Sequence, residues 1–142
     1  MSETNPIVGV WELQSGAMVA SDGTENPLWG DGAAGFLIYT AEGYFSEQLM
    51  QAGRKLFATP DLRAGSTEEK AHAAETYVAY SGKYSSAPGS VTHHPAVHLF
   101  PNLVGVDQPR GWSIEGDILT LTTPKVKRGP MEYQARIRFM RR

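Results

Sequence analysis

Three of the four histidines, His93, His94 and His98, fall close together on one segment. Imidazole is both the commonest transition-metal ligand and the side chain best suited to proton transfer near neutral pH. Strand geometry argues against a shared metal. Adjacent residues point to opposite faces, and His94 and His98, which share a face, stand ~13 Å apart at about 3.3 Å per residue. One metal with nitrogens each ~2 Å away cannot bridge that span. Only a bulge at Pro95 would break the alternation, so no metal site is expected. By parity Val91, His93, Val97 and Leu99 form the more apolar face, which makes His93 the best inward candidate. Three roles stay open for it: a core histidine bonded to a nearby tyrosine or carbonyl, a ligand contact, or, if the protein is an enzyme, the catalytic acid/base.

Glu47 and Gln48 are the second candidates, because only one of two neighbours on a strand can face inward. Desolvation would raise the pKa of an inward Glu47 and make it a base for proton abstraction. An inward Gln48 would offer a neutral amide to a ligand carbonyl. Of the two, Gln48 is read as the inward residue and Glu47 as exposed. Tyr39, Tyr84, Trp112 and Tyr133 supply aromatic walls with polar tips, the usual lining of a small-molecule pocket and equally of an ordinary core. The ligand-binding candidates are therefore Tyr39, Gln48, Tyr84, His93, His94, Trp112 and Tyr133. Arg110, after Pro109, is read as solvated, with pairing to an acidic ligand group as the alternative.

Composition narrows what these residues can do. The chain has 142 residues, 41% apolar and 20% charged, the size and balance of one globular domain. It has no cysteine, which excludes disulfides, thiolate metal sites and a cysteine nucleophile. Net charge is −2, too close to neutral to imply a nucleic-acid partner. Seven of the 13 basic residues, Lys125, Lys127, Arg128, Arg136, Arg138, Arg141 and Arg142, nevertheless crowd the end of the chain, and are read as the solvated face of a terminal strand. The Met-Ser-Glu-Thr-Asn-Pro start resembles no signal peptide, and no apolar run approaches the ~20 residues of a membrane helix. A cytoplasmic soluble protein is the default. Phosphate-binding loops, nucleophile elbows and zinc-protease helices are missing from the sequence.

The elements that must position the candidates read mostly as strands. Alternation runs from Ile7 to Val19, with Ile7, Trp11, Leu13, Ala17 and Val19 on one side. Phe36 to Thr40 and Tyr44 to Met50 form a hairpin about Ala41-Glu42-Gly43. Ser66 as N-cap and Glu69 as its capping-box partner open a helix expected to end near Gly82, burying Ala73, Ala74, Tyr77, Val78 and Tyr80. It is read as a lid or plug. Strands follow at 83–86, 90–100, 106–114, 118–123 and 131–140. In the last, Tyr133, Ala135, Ile137 and Phe139 share a parity that Arg141 continues. Eight sequential strands lose their edges by closing into an all-β, up-and-down antiparallel barrel, with one helix between the third and fourth strands, as a single domain over residues 1–142.

Several segments resemble the bacterial and fungal lipocalin-like domain family, a calycin-type barrel. They are Gly9-Val10-Trp11, Gly35 to Tyr44, Gln48-Leu49-Met50, Gly82-Lys83-Tyr84, Val91-Thr92-His93-His94, Phe100-Pro101-Asn102 and Gly116 to Leu121. The resemblance implies an interior for a small, largely apolar molecule, and an Arg141 side chain stacked on Trp11 at the closed end. The chain departs from the pattern at Arg54-Lys55, where Arg-Pro is usual, and at Glu47, where a small residue is common, so its interior is specialised. The expected function is binding of a small hydrophobic or aromatic metabolite. The alternative is a cofactor-independent isomerase, cyclase or dehydratase acting on a polyketide- or terpenoid-like compound of secondary metabolism. A third reading makes the barrel an interaction module. No cofactor, nucleic acid or membrane partner is expected, and a homodimer is left open.

Overall fold

The structure, a computed structural model, describes residues 5–142; the start at Met1 to Thr4 lies outside them. Ten strands and one α-helix follow in the order β1 (Gly9–Ala20), β2 (Glu25–Pro27), β3 (Ala34–Tyr39), β4 (Tyr44–Met50), α1 (Thr67–Glu75), β5 (Tyr77–Ala87), β6 (Ser90–His98), β7 (Gln108–Glu115), β8 (Ile118–Thr122), β9 (Val126–Arg128) and β10 (Met131–Arg141). Sequential antiparallel pairing runs β1-β3-β4-β5-β6-β7-β8-β10, and β10 returns to β1. The wall is thus a closed eight-strand barrel, as the alternation predicts. The three-residue β2 and β9 only extend the outer edges of β1 and β10. Counted with β2, the helix lies between β4 and β5 rather than β3 and β4.

Closure is long: β1 and β10 pair from Trp11 opposite Arg141 to Ala20 opposite Tyr133. One register shift between Leu13 and Ser15 interrupts it. Gln14 is the extra residue of a bulge, so the inward parity that holds through Ile7, Trp11 and Leu13 changes, and Ala20 is buried instead of Val19. On β10 the expected parity holds, with Ala135, Ile137 and Phe139 buried. Arg141 stacks on Trp11 with its guanidinium carbon 4.2 Å from the ring centroid. Its Nη1 and Nη2 donate to the carbonyls of Val8 (3.1 Å) and Pro6 (2.8 Å), and the Trp11 indole N–H donates to Ile7 O at 2.8 Å. One cation therefore ties the lead-in segment to the base of the barrel.

The helix is shorter than its periodicity suggests. Ser66 and Glu69 form the expected capping box, but the helix ends at Glu75 and Thr76 caps it. Tyr77, Val78 and Tyr80 belong to β5. Residues 78, 80, 82 and 84 fit a period of two as well as part of a helical stripe, and pairing of Tyr77 through Lys83 with β4 decides the matter. The helix buries no residue; its position comes from Arg54, which donates to Ala73 O and Thr76 Oγ1 at 3.0 Å each.

β6 also departs from simple alternation. Gly82 pairs with Pro95 and Ser81 with Val97, leaving Ala96 as a bulge next to the proline. Gly82 is required there, since a Cβ would sit 2.2 Å from His94 O. Beyond the bulge Val97 and Leu99 turn out to solvent, against the predicted apolar face, and His98 pairs with Tyr80.

Replacing Arg141 by Ala removes a cation–π contact and two charged hydrogen bonds, and should lower the unfolding free energy by about 2–3 kcal/mol in urea titration. Arg141→Lys should recover only part, because an ammonium cannot reproduce the planar fork.

Candidate functional site

The site grows from β4. Phe45, Glu47 and Leu49 are the buried positions of that strand, while Tyr44, Gln48 and Met50 are exposed. This reverses the predicted choice: Glu47, only 5% exposed, faces inward and Gln48 faces out. The physical reason is Phe45 and Leu49, whose burial fixes the whole odd parity and carries the carboxylate in with it. Glu47 lies directly opposite Leu37 of β3 and Tyr80 of β5, both buried.

His93 occupies the same interior with no exposed surface. Its Nε2 is 2.6 Å from Tyr39 Oη and its Nδ1 is 2.9 Å from Tyr80 Oη. Phe45 stacks on the imidazole at 4.2 Å between centroids, 12° from parallel. Burial, with smaller contributions from Arg110 and His94, pushes the His93 pKa down to about 3, so the ring is neutral. A neutral ring has one bare nitrogen and one N–H. One tyrosine donates to the bare nitrogen, and the other accepts from the N–H. In either tautomer, one phenol keeps a hydroxyl proton free to donate elsewhere. Burial, then the Glu47 charge, raises both tyrosines above their ordinary value, so both stay protonated.

Arg110 completes the group. It pairs with buried Val91 across β6 and β7, which places it on the inner face with Gln108, Trp112 and Ile114. Its charge favours the ionised forms of Glu47, Tyr39 and Tyr80. The expectation of a solvated Arg110 is corrected to a half-buried cation at the edge of the cluster. Glu47 accepts no hydrogen bond from the described residues, yet none of their fully buried side-chain nitrogens and oxygens lacks a partner. Its oxygens therefore keep a trace of accessible surface, facing inward. Burial pushes its pKa up to about 7, and Arg110 opposes that rise.

Among the other sequence candidates, Tyr84 packs edge-on to Tyr39 at 4.9 Å and donates to Thr40 O at 2.6 Å. Trp112 lies against the core with its indole N–H on the carbonyls of Ala87 and Ser90. Tyr133 keeps inward parity but sits opposite Ala20, at the end of β10 away from Arg141. His94 is on the outer face, 2.9 Å from Ser85 Oγ and 2.8 Å from Asp107 Oδ1. That order of side chains resembles a hydrolase triad, but Ser85 and Asp107 lie on an open surface with nothing to exclude water. The three histidines thus diverge: one to the interior, one outward, one beyond the bulge stacked on Tyr80 at 4.8 Å. Sequence reasoning passed over Phe45 and Tyr80 and read Glu47 as exposed and Arg110 as solvated, where the structure brings all four to the cluster. The alternation of Val78, Tyr80, Gly82 and Tyr84 was the signal that could have found Tyr80.

A closed antiparallel barrel around a buried polar cluster defines a class of small β-barrel domains, and the sequence identifies which one. Residues 8–141 match the lipocalin-like domain, and the chain belongs to that family. It is also similar to the 4'-hydroxy-3'-methoxypropiophenone carrier protein of Aspergillus oryzae, 33% identical over 86 residues that span 55% of this chain and 78% of the relative. No helix among the described residues is long and apolar enough to cross a membrane.

Glu47 and His93 shape acid and base stability in opposite ways. Glu47 holds a proton between pH 4.5 and about 7 that the unfolded chain has lost, so its burial penalty grows across that window and is complete above it. His93 refuses a proton between about 3 and 6.5 that the unfolded chain takes up, so its contribution falls as pH drops below 6.5. Glu47→Gln should therefore gain stability over wild type with rising pH, by a few kcal/mol at most, levelling above pH 7. Chemical denaturation of both proteins from pH 4 to 8 measures this.

Proposed function

We propose that the protein binds a small aromatic molecule inside the barrel and holds one of its oxygens through the tyrosine hydroxyl that the His93 relay leaves free. One observation carries this: a wholly buried histidine spends both nitrogens on two buried phenols. Such a network has one hydroxyl donor to spare. The relative from Aspergillus oryzae is named as the carrier of an aryl ketone, a molecule of the kind this donor suits. An apolar surface groove of about 370 Å³ lies beside the end of α1, lined by Tyr77, Val78, His98, Leu99 and Phe100. Its His98 stacks directly on Tyr80.

Of the sequence candidates, Tyr39, His93 and Tyr84 fit this site; Gln48 and His94, which point away from it, do not. A second reading, a cofactor-independent isomerase, cyclase or dehydratase, is favoured by the buried Glu47 carboxyl. His93 then serves as a positioning residue, because neither of its nitrogens is free.

Titration with 4'-hydroxy-3'-methoxypropiophenone should quench tryptophan fluorescence to saturation. Replacing the tyrosine whose hydroxyl the relay leaves free, by Tyr39→Phe or Tyr80→Phe, should weaken binding by about 10-fold, the cost of one broken hydrogen bond, while His94→Ala leaves it unchanged. Linear, unsaturating quenching of the wild type would overturn the reading.

A further inference from the structure

We infer that this interior enolises the ketone it binds: Glu47 removes a proton from the carbon beside the carbonyl while a tyrosine hydroxyl, with Arg110 beside it, holds the oxygen. The inference rests on the binding reading above and adds a reaction to it. It starts from a side chain that stability alone does not explain. Glu47 is buried, lacks a hydrogen-bond donor among the described residues, and faces inward. A buried carboxylate without partners is costly, and an apolar residue of similar volume would favour the fold. The same isolation suits a base, since hydrogen-bond donors would hold the carboxylate's proton affinity down.

The neighbours supply the other half of the reaction. Glu47 and Tyr80 are directly opposite on β4 and β5, which sets their Cβ atoms about 4.5–5.5 Å apart on one face. A carbonyl oxygen and the hydrogen on its adjacent carbon can be addressed together from such a pair. Tyr80 and Tyr39 stay protonated, one of them keeps a hydroxyl proton to donate, His93 orients both, and the Arg110 charge favours negative charge beside them. With burial holding Glu47 near neutrality, it can both take and return a proton at pH 7.

The step balances without any co-reactant. The carboxylate takes the proton, the C–H electron pair forms the carbon–carbon double bond of the enolate, and the carbonyl π pair moves onto oxygen. Return of a proton to the same carbon regenerates the ketone, with exchange against solvent on the way. Return to a conjugated γ-carbon would move a double bond.

The test dissolves 4'-hydroxy-3'-methoxypropiophenone in deuterated buffer near neutral pH with a small amount of protein and follows loss of the side-chain CH₂ signal by NMR. Wild type should accelerate exchange at least about 10²-fold over buffer. Glu47→Gln should still bind the ketone saturably by tryptophan quenching and lose that acceleration, and Glu47→Asp should restore part of it. Saturable binding without accelerated exchange, or full exchange in Glu47→Gln, overturns the inference and leaves the binding reading intact. Absence of binding by the wild type overturns both.

Discussion

The long pairing of β1 with β10 is the constraint on which the other features depend. Eight antiparallel strands leave two edges unless the first finds the last, and here they join along most of both strands, from Trp11 opposite Arg141 to Ala20 opposite Tyr133. The junction needs more than backbone hydrogen bonds, because a bulge at Gln14 disrupts its ladder. Arg141 supplies the fastening: it covers Trp11 and grips two carbonyls of the lead-in segment. The basic end of the chain, which composition alone presents as a solvated face, thus includes a cation with a structural role. Arg136 and Arg142 pair outside with Glu25 and Glu12, where water screens them and little stability follows.

Closure buries the interior, and burial governs the chemistry of what lies there. In water Tyr39, Tyr80, His93 and Glu47 would be four independent groups. Inside the barrel the histidine is kept neutral and the phenols are kept protonated. Each must find a partner, and three of them do so with one another. Glu47 is the one left over: burial favours its protonated form, and Arg110 partly offsets the cost of its charge. The fold therefore places a hydrogen-bond donor fixed by packing and a carboxyl free of hydrogen bonds in the same small space.

How much of this was legible in the sequence depends on the strand. The β10 parity, the β3–β4 hairpin with Gly43 at φ 96°, and the Ser66–Glu69 cap were readable because each is a local pattern with one solution. The interior of β4 was not, because Phe45-Glu47-Leu49 and Tyr44-Ser46-Gln48-Met50 each mix two apolar or aromatic residues with polar ones, and charge alone argued for the wrong one. Burying Phe45 and Leu49 outweighed the cost of Glu47. Tyr80 was hidden by a helix that starts with a strong cap and has no equally strong stop; only pairing with β4 ends it. Arg110 follows a proline and ends up half-buried, and its orientation is set by Val91 across the sheet, which no local pattern records.

Carrying and catalysis differ at this site in one quantity, the charge on the ligand oxygen. A donor network that binds a ketone gains the same free energy before and after any proton moves unless the oxygen becomes more negative in the transition state, and only that difference accelerates a reaction. In the binding proposal the tyrosine–histidine relay is the only contact required, since a neutral carbonyl can accept its spare proton. Under the binding proposal Arg110 and Glu47 have no assigned contact with the ligand, and Arg110 offsets part of the cost of the Glu47 charge. A cation contributes little to holding a neutral oxygen, and an unpartnered carboxylate contributes nothing to holding an aryl ketone. Both become useful once a proton leaves carbon for carboxylate and negative charge moves onto oxygen. Their presence together on the inner face carries a cost in stability that the barrel's apolar core must offset.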